Sequence, residues 1–272
     1  MAVRSHPEIV EFEHYLDEAL SPRQLRRLER KVKKSDKQTC KNSHVPDSVV
    51  KEFRRSNFQL LPKTQKQSEQ IRALNTYDQV ICIGPAGTGK TYVTAAWAAL
   101  EFDKRRIHKI VLTRPNVPAG PTLGLFPGDM NEKFQNWVAP LTNTIKEVIG
   151  AGAFEIALKK GDIVFQPIET IRGASFSNAV ILVDEAQNIP EDQMKALVTR
   201  IGEGSKLVLD GDVKQKDIKE SSGLDWAIKT IQSSEYLNSH TGIVAFTSDD
   251  VVRSDICKAW VKAIETSEKS TK

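Results

Sequence analysis

Eight consecutive residues, Gly84-Pro85-Ala86-Gly87-Thr88-Gly89-Lys90-Thr91, constrain this chain more than any other stretch. They satisfy GxxxxGK[ST] at every position, follow an apolar run at residues 80–83 and open a helix-like run at 89–100. In that strand, loop and helix setting the glycines let the main chain wrap an anion and aim N–H groups at it. The helix N-terminus adds partial positive charge. The loop therefore cradles a triphosphate, with Lys90 reaching its β- and γ-phosphates and the Thr91 hydroxyl coordinating Mg²⁺. Gly84, Pro85, Ala86, Gly87, Thr88, Gly89, Lys90, Thr91 and Tyr92 form the expected nucleotide-binding stretch.

The pattern around this loop sets the fold class. Strand-like runs at 80–83, 109–112, 163–166, 179–183, 206–209 and 242–246 alternate with helix-like stretches at 89–100, 131–149, 191–201, 223–233 and 254–268. Such alternation predicts an α/β fold, a RecA-like P-loop NTPase with a mostly parallel sheet flanked by helices. The strands are almost wholly apolar, as burial on both faces requires. Ligands in such sheets sit beyond the carboxyl ends of the strands. This domain is expected at residues 58–268, after a basic, partly helical appendage at 1–57 and before a short tail at 269–272.

Two further strand ends complete the expected site. Ile181-Leu182-Val183-Asp184-Glu185 is an apolar strand closing on two carboxylates. Adjacent strand residues point apart, so Asp184 is read as a metal ligand and Glu185 as the group that activates water. The run Leu209-Asp210-Gly211-Asp212-Val213-Lys214-Gln215 places Gln215 as a γ-phosphate sensor, with Asp212 in support. Gln67, seventeen residues before Gly84, is the expected reader of an adenine edge, with Gln65 and Gln70 as rivals. No guanine-reading Asn-Lys-x-Asp occurs, so ATP is the expected nucleotide.

Charge is uneven. Fourteen Lys and Arg fall between Arg23 and Lys66 against Glu29, Asp36, Asp47 and Glu52, so the remainder is mildly acidic although the total is +4. A concentrated basic segment, including a short helix at 22–34, points to a polyanion such as RNA or single-stranded DNA. The composition is that of a globular chain, 39% hydrophobic and 27% charged. No apolar run reaches the ~18 residues of a membrane span, and the acidic first residues do not resemble a signal peptide. A cytoplasmic location without a membrane partner is expected. Cys40, Cys82 and Cys257 are too few and too far apart for a disulfide framework or zinc site, and Cys82 and Cys257 are read as small core residues.

Taken together, these motifs resemble the PhoH-like ATPases of bacteria and phages, relatives of superfamily 1 helicases. The resemblance covers about residues 58–268. It rests on the P-loop with Tyr92, on Leu112-Thr113-Arg114-Pro115, on Leu123-Gly124-Leu125-Phe126-Pro127-Gly128-Asp129 and on Asp184-Glu185-Ala186-Gln187-Asn188. It also rests on Gln193-Met194-Lys195, Thr199-Arg200-Ile201-Gly202, Gly211-Asp212 with Gln215 and Asp217, and Asp250-Val251-Val252-Arg253. The chain departs from the family pattern at Pro118, Pro121, Leu125-Phe126, Ser254 and Ile171-Arg172-Gly173-Ala174-Ser175, where a second arginine is lost. The length leaves no room for the PIN nuclease domain that some relatives carry. Its divergence and short layout point to a phage-encoded member in the host cytoplasm.

The resemblance also frames the mechanism. Helicases of the related superfamily use a second core to supply an arginine to the γ-phosphate, and this chain is expected to have one core. Arg253 is the first-choice arginine and Arg200 the second; a homo-oligomer, implied to be a hexameric ring, would let one act across an interface. Arg114 and Arg172 are alternative arginines or else nucleic-acid contacts, and Asn116 is read as a nucleic-acid contact; Arg114 and Asn116 fall in a Gly- and Pro-rich segment at 113–129. Phe126 and Trp137 are read as core residues before base-stacking ones. The leading function is an ATPase coupled to RNA or single-stranded DNA. The runner-up is an ATP-dependent switch that recruits a nuclease or another protein, and a small-molecule kinase is the third class.

Overall fold

The structure is a computed structural model that describes residues 58–115 and 138–270, with side chains to 267. The basic appendage, Asn116, Pro118, Pro121, the 123–129 motif, Phe126 and Trp137 lie outside the described residues. Six parallel strands form one sheet: β1 (Gln79–Ile83), β2 (Lys109–Thr113), β3 (Ile163–Phe165), β4 (Ala179–Val183), β5 (Lys206–Gly211) and β6 (Thr241–Ala245). Their spatial order is β3-β2-β4-β5-β1-β6. The expected parallel α/β sheet is therefore present, with each strand where an apolar run foretold it.

Alternation along each strand divides the core into two layers. Val80, Cys82, Ile110, Leu112, Val180, Leu182 and Val208 face one side, and Ile81, Val111, Ile181, Val183, Leu207 and Leu209 face the other. All are essentially buried, and each large aliphatic side chain so buried contributes about 1.5–3 kcal/mol. The first layer is covered by α1 (Gln65–Thr76), α2 (Lys90–Asp103), α3 (Ala139–Ile149) and α4 (Ala151–Lys160). The second is covered mainly by α5 (Glu191–Val198) and α6 (Gly223–Gln232). The short α7 (Glu235–Ser239) leads into β6, and α8 (Asp255–Ser270) ends the described chain.

Three of these helices, α1, α4 and the short α7, are additions to the sequence reading. α1 is rich in glutamine and shows a weak apolar stripe, yet Thr64 caps it, accepting the Gln67 N–H at 3.2 Å. Its Ala73 and Leu74 are buried in the first layer. α4 follows Gly150, whose φ of +88° turns the chain sharply out of α3; glycines at 150 and 152 mask it as a loop. The helix expected over 191–201 stops at Val198, because Thr199 caps it and Gly202 turns the chain back toward β5. The part of the helix expected at 131–137 lies outside the described residues.

Strand order positions the site. β5 lies between the P-loop strand β1 and the acidic strand β4. The Gly84 N–H donates to the Gly211 carbonyl at 3.1 Å, and the Asp184 N–H donates to Thr113 at 3.1 Å. The ends of β1, β2, β4 and β5 are thus brought level along the carboxyl edge.

Candidate active site

The phosphate loop leaves β1 at Gly84, where φ is +141° and an added Cβ would lie 2.5 Å from the Phe246 carbonyl oxygen. Only glycine fits there. At Gly89 φ is +82°, and a Cβ would meet the Gln67 carboxamide nitrogen at 2.7 Å. That carboxamide is the reason for the close approach. Gln67 Nε2 donates to the Thr88 carbonyl at 2.9 Å, and Gln67 Oε1 accepts the Lys63 N–H at 2.7 Å. Lys90 opens α2, and its ammonium donates to the carbonyls of Gly84 and Pro85 at 2.5 and 2.9 Å. The loop borders a cavity of about 800 Å³ that Gln67, Lys90, Thr91, Tyr92, Asp184, Glu185, Gln215 and Arg253 also line.

Across that cavity, Thr91 Oγ1 donates to Asp184 Oδ1 at 2.9 Å. Glu185 follows with φ 54° and ψ 41°, a left-handed conformation uncommon outside glycine. Such strain persists only where surrounding contacts over-determine it. Here Gln187, 1% exposed, does so. Its Nε2 donates to Glu185 Oε2 at 2.7 Å and to the Gln215 carbonyl at 3.1 Å, while its Oε1 accepts the Asp212 N–H at 3.0 Å. Asn188 adds a two-bond clasp to Asp217, at 3.1 and 2.8 Å. The loop after β5 is thereby tied to the acidic turn after β4.

The structure sorts the expected residues. Lys90, Thr91, Asp184, Glu185 and Gln215 converge on one cavity. Among the three glutamines only Gln67 reaches it; Gln70 is buried against Lys90 and Thr94, and Gln65 is exposed. Arg253 packs its stem against the phosphate loop of its own chain, 3.3 Å from where a Gly87 Cβ would stand, and the neighbouring Val252 N–H donates to the Gly87 carbonyl at 3.0 Å. Arg200 does not reach the cavity of its own chain. α5 leaves the carboxyl edge at Glu191 and runs back along the sheet, so Arg200 ends beside the Phe176–Ile201 bridge, ahead of β5 and away from its own phosphate loop. Arg172 is exposed and pairs with Asp192 at 3.4 Å. Arg114, expected as an alternative arginine or a nucleic-acid contact, lines the cavity and pairs with Asp184 at 3.3 Å and Glu185 at 3.6 Å. Gln187 and Asp210 carry parts of the site that the motif reading assigned to no role.

A family model described as PhoH-like protein matches residues 59–265, the stretch that carries all of these elements. The chain belongs to the PhoH-like protein family. It is 37% identical over 205 residues to a PhoH-like protein of Bacillus subtilis, covering 75% of this chain and 63% of that one. It is 33% identical over 213 residues to Protein PhoH of Escherichia coli K12, covering 77% and 59%. The chain thus spans about three-fifths of the length of these relatives. A large terminase from a thermophilic bacteriophage is similar at 14% identity and a TM-score of 0.45, over 75% of this chain and 50% of that one. Among the described residues, no helix is long and apolar enough to cross a membrane.

In this PhoH-like domain the donors suit magnesium. Mg²⁺ binds through one or two protein oxygens plus phosphate and water rather than a cage of side chains. Thr91 and Asp184 offer two hard oxygens in direct contact, and among the described residues no cluster of three or more His, Cys, Asp or Glu competes with them. When bound there, the ion would neutralise phosphate charge.

Beneath the loop the PhoH-like domain buries a further acid. Asp210 is 2% exposed and accepts from Thr94 Oγ1 at 3.3 Å. Burial, with the charge of Asp184 adding to it, raises its carboxyl to about 7, against the pull of Thr94, Lys90 and Cys82. Burial also lowers the Lys90 ammonium, opposed by Asp210, Asp212 and Glu185. Burial raises Asp184 too, opposed chiefly by Arg114. An unfolded Asp titrates near ~3.9. Between about pH 4 and 7 the native state holds a proton that the unfolded chain has lost, so the stability linked to Asp210 falls as pH rises through that window. Asp210→Asn is expected to leave stability unchanged near pH ~3 and to raise it by the order of 2–4 kcal/mol near pH ~8. Denaturant unfolding of both proteins at the two pH values checks this; an equal difference at both would contradict it.

Proposed function

We propose that this chain hydrolyses ATP with Mg²⁺ and couples turnover to RNA or single-stranded DNA. The observation that carries the hydrolytic reading is the meeting of Thr91 with Asp184 at 2.9 Å, one residue before a Glu185 held in a left-handed turn by Gln187. In this reading Lys90 binds the β- and γ-phosphates, Glu185 takes the proton of the attacking water, and Gln215 contacts the γ-phosphate. Gln67, Tyr92, Phe58 and Leu60 line the same cavity, which offers an adenine apolar contact and a carboxamide. Coupling to nucleic acid is supported by the basic run between Arg23 and Lys66 and by exposed Arg172 near the carboxyl edge. A ring of identical subunits would place further cations beside each site.

A second reading is a nucleotide-dependent switch that captures a protein, such as a nuclease. One observation favours it: Ile256, Trp260 and Ile264 recur every four residues on α8 and are 68%, 66% and 51% exposed. The test is ATP turnover at low salt, where electrostatic binding is strongest, with and without RNA or single-stranded DNA. The coupled reading expects at least about tenfold stimulation, lost as salt rises. Turnover indifferent to both polymers would favour the switch.

A further inference from the structure

Arg114 stands where the sheet's register delivers it. β2 pairs with β4 so that Thr113 lies opposite Val183, which sets the next residue, Arg114, beside Asp184. The guanidinium reaches both acids at once, Nη1 lying 3.3 Å from Asp184 Oδ2 and Nη2 3.6 Å from Glu185 Oε1. A planar fork fixes two carboxylates in one arrangement, whereas a lysine ammonium is a rotatable point charge. These are the two acids that the hydrolytic reading assigns to metal and to water. The side chain keeps 28% of its surface exposed and borders the phosphate cavity together with Lys90, Gln215 and Arg253.

We propose that Arg114 is the cis arginine of this site: it holds Asp184 and Glu185 before the nucleotide enters, then turns its guanidinium onto the γ-phosphate oxygens as the bond breaks. The proposal rests on the ATPase reading and adds a residue to it. Before binding, Asp184 and Glu185 stand side by side after β4, and the Arg114 guanidinium between them offsets their repulsion. A triphosphate brings a denser set of anionic oxygens to the same cavity, and a long flexible stem lets the fork change partners without moving the backbone. During hydrolysis a water oxygen bonds to the γ-phosphorus. The bond from that phosphorus to the bridging oxygen breaks, its electron pair leaves with ADP, and the water proton passes to Glu185. Negative charge spreads over the γ-oxygens, where a positioned cation stabilises it. The site then requires no arginine from a neighbour.

The experiment uses the full chain as wild type, Arg114→Gln, which keeps length and loses charge, and Arg114→Lys. Arg114→Gln is expected to lower kcat by about 10²-fold, with Arg114→Lys recovering only part. Independently of turnover, Mn²⁺ binding followed by electron paramagnetic resonance without nucleotide should tighten by about tenfold in Arg114→Gln, because a competitor for Asp184 is gone. Mixing Arg114→Gln with Lys90→Ala protein should restore no activity. A kcat within about threefold of wild type, or restored turnover on mixing, would overturn the catalytic half. Unchanged Mn²⁺ affinity would overturn the holding half. A wild type that hydrolyses no ATP would end the ATPase reading and the catalytic half with it, while the Mn²⁺ result still decides the other half.

Discussion

Replacing Lys90 with alanine is expected to remove ATP binding and turnover together, with kcat/KM falling by about 10³-fold or more. Lys90 is 8% exposed, and its ammonium donates to the carbonyls of Gly84 and Pro85 within the phosphate loop. Its surroundings make the effect large. Asp210, Asp212 and Glu185 all act on it, so loss of the ammonium leaves these acids facing the triphosphate with one cation fewer to offset them. Thermal unfolding measures the binding part. Saturating Mg-ATP at about 100 times its Kd stabilises a native state by about 2.7 kcal/mol, a rise in Tm of roughly 5–10 °C for a domain of this size. Wild type should show that rise and Lys90→Ala none. An equal rise in both would mean that the nucleotide binds elsewhere.

Glu185→Gln separates chemistry from binding. It preserves size and the left-handed backbone, and its side-chain oxygen still accepts from Gln187. What it loses is the ability to take a proton from water. The expected outcome is a kcat lower by about 10³-fold with the Mg-ATP thermal shift intact. Arg114 also contacts Glu185, and the neutral amide weakens that ion pair, so nucleotide affinity should stay equal or rise. A variant that turned over ATP within about threefold of wild type would remove Glu185 from the role of base. Loss of the thermal shift would mean that the turn after β4 builds the binding site and not only the chemistry.

Lys90 and Glu185 are legible before any fold is known, whereas several of their partners are not. All six strands are foreseeable because a parallel strand buried on both faces is a continuous apolar run, a signal carried within five or six residues. α1 escapes a sequence reading because its burial rests on Ala73 and Leu74 beside buried Gln67 and Gln70, so the buried face is largely polar and its period faint. The same helix decides among the glutamines. Positions 67, 70 and 74 share its buried face while Gln65 points outward. Motif position alone ranks Arg200 above Arg114 as a catalytic arginine. The direction of α5 carries Arg200 to the far edge of the sheet, and the β2–β4 pairing carries Arg114 into the site.

The sequence alone established the phosphate loop, the acidic strand end and the parallel α/β class, because each is written in a short contiguous run whose chemistry or period is local. Tertiary structure alone decided that β5 separates β1 from β4, that Gln187 ties Glu185 to the Gln215 loop, that Asp210 is sealed beneath Lys90 and that Arg114 faces the two acids. Those facts depend on which strands lie side by side. Adjacency of strands arises from packing between residues far apart in the chain, and no local period encodes it.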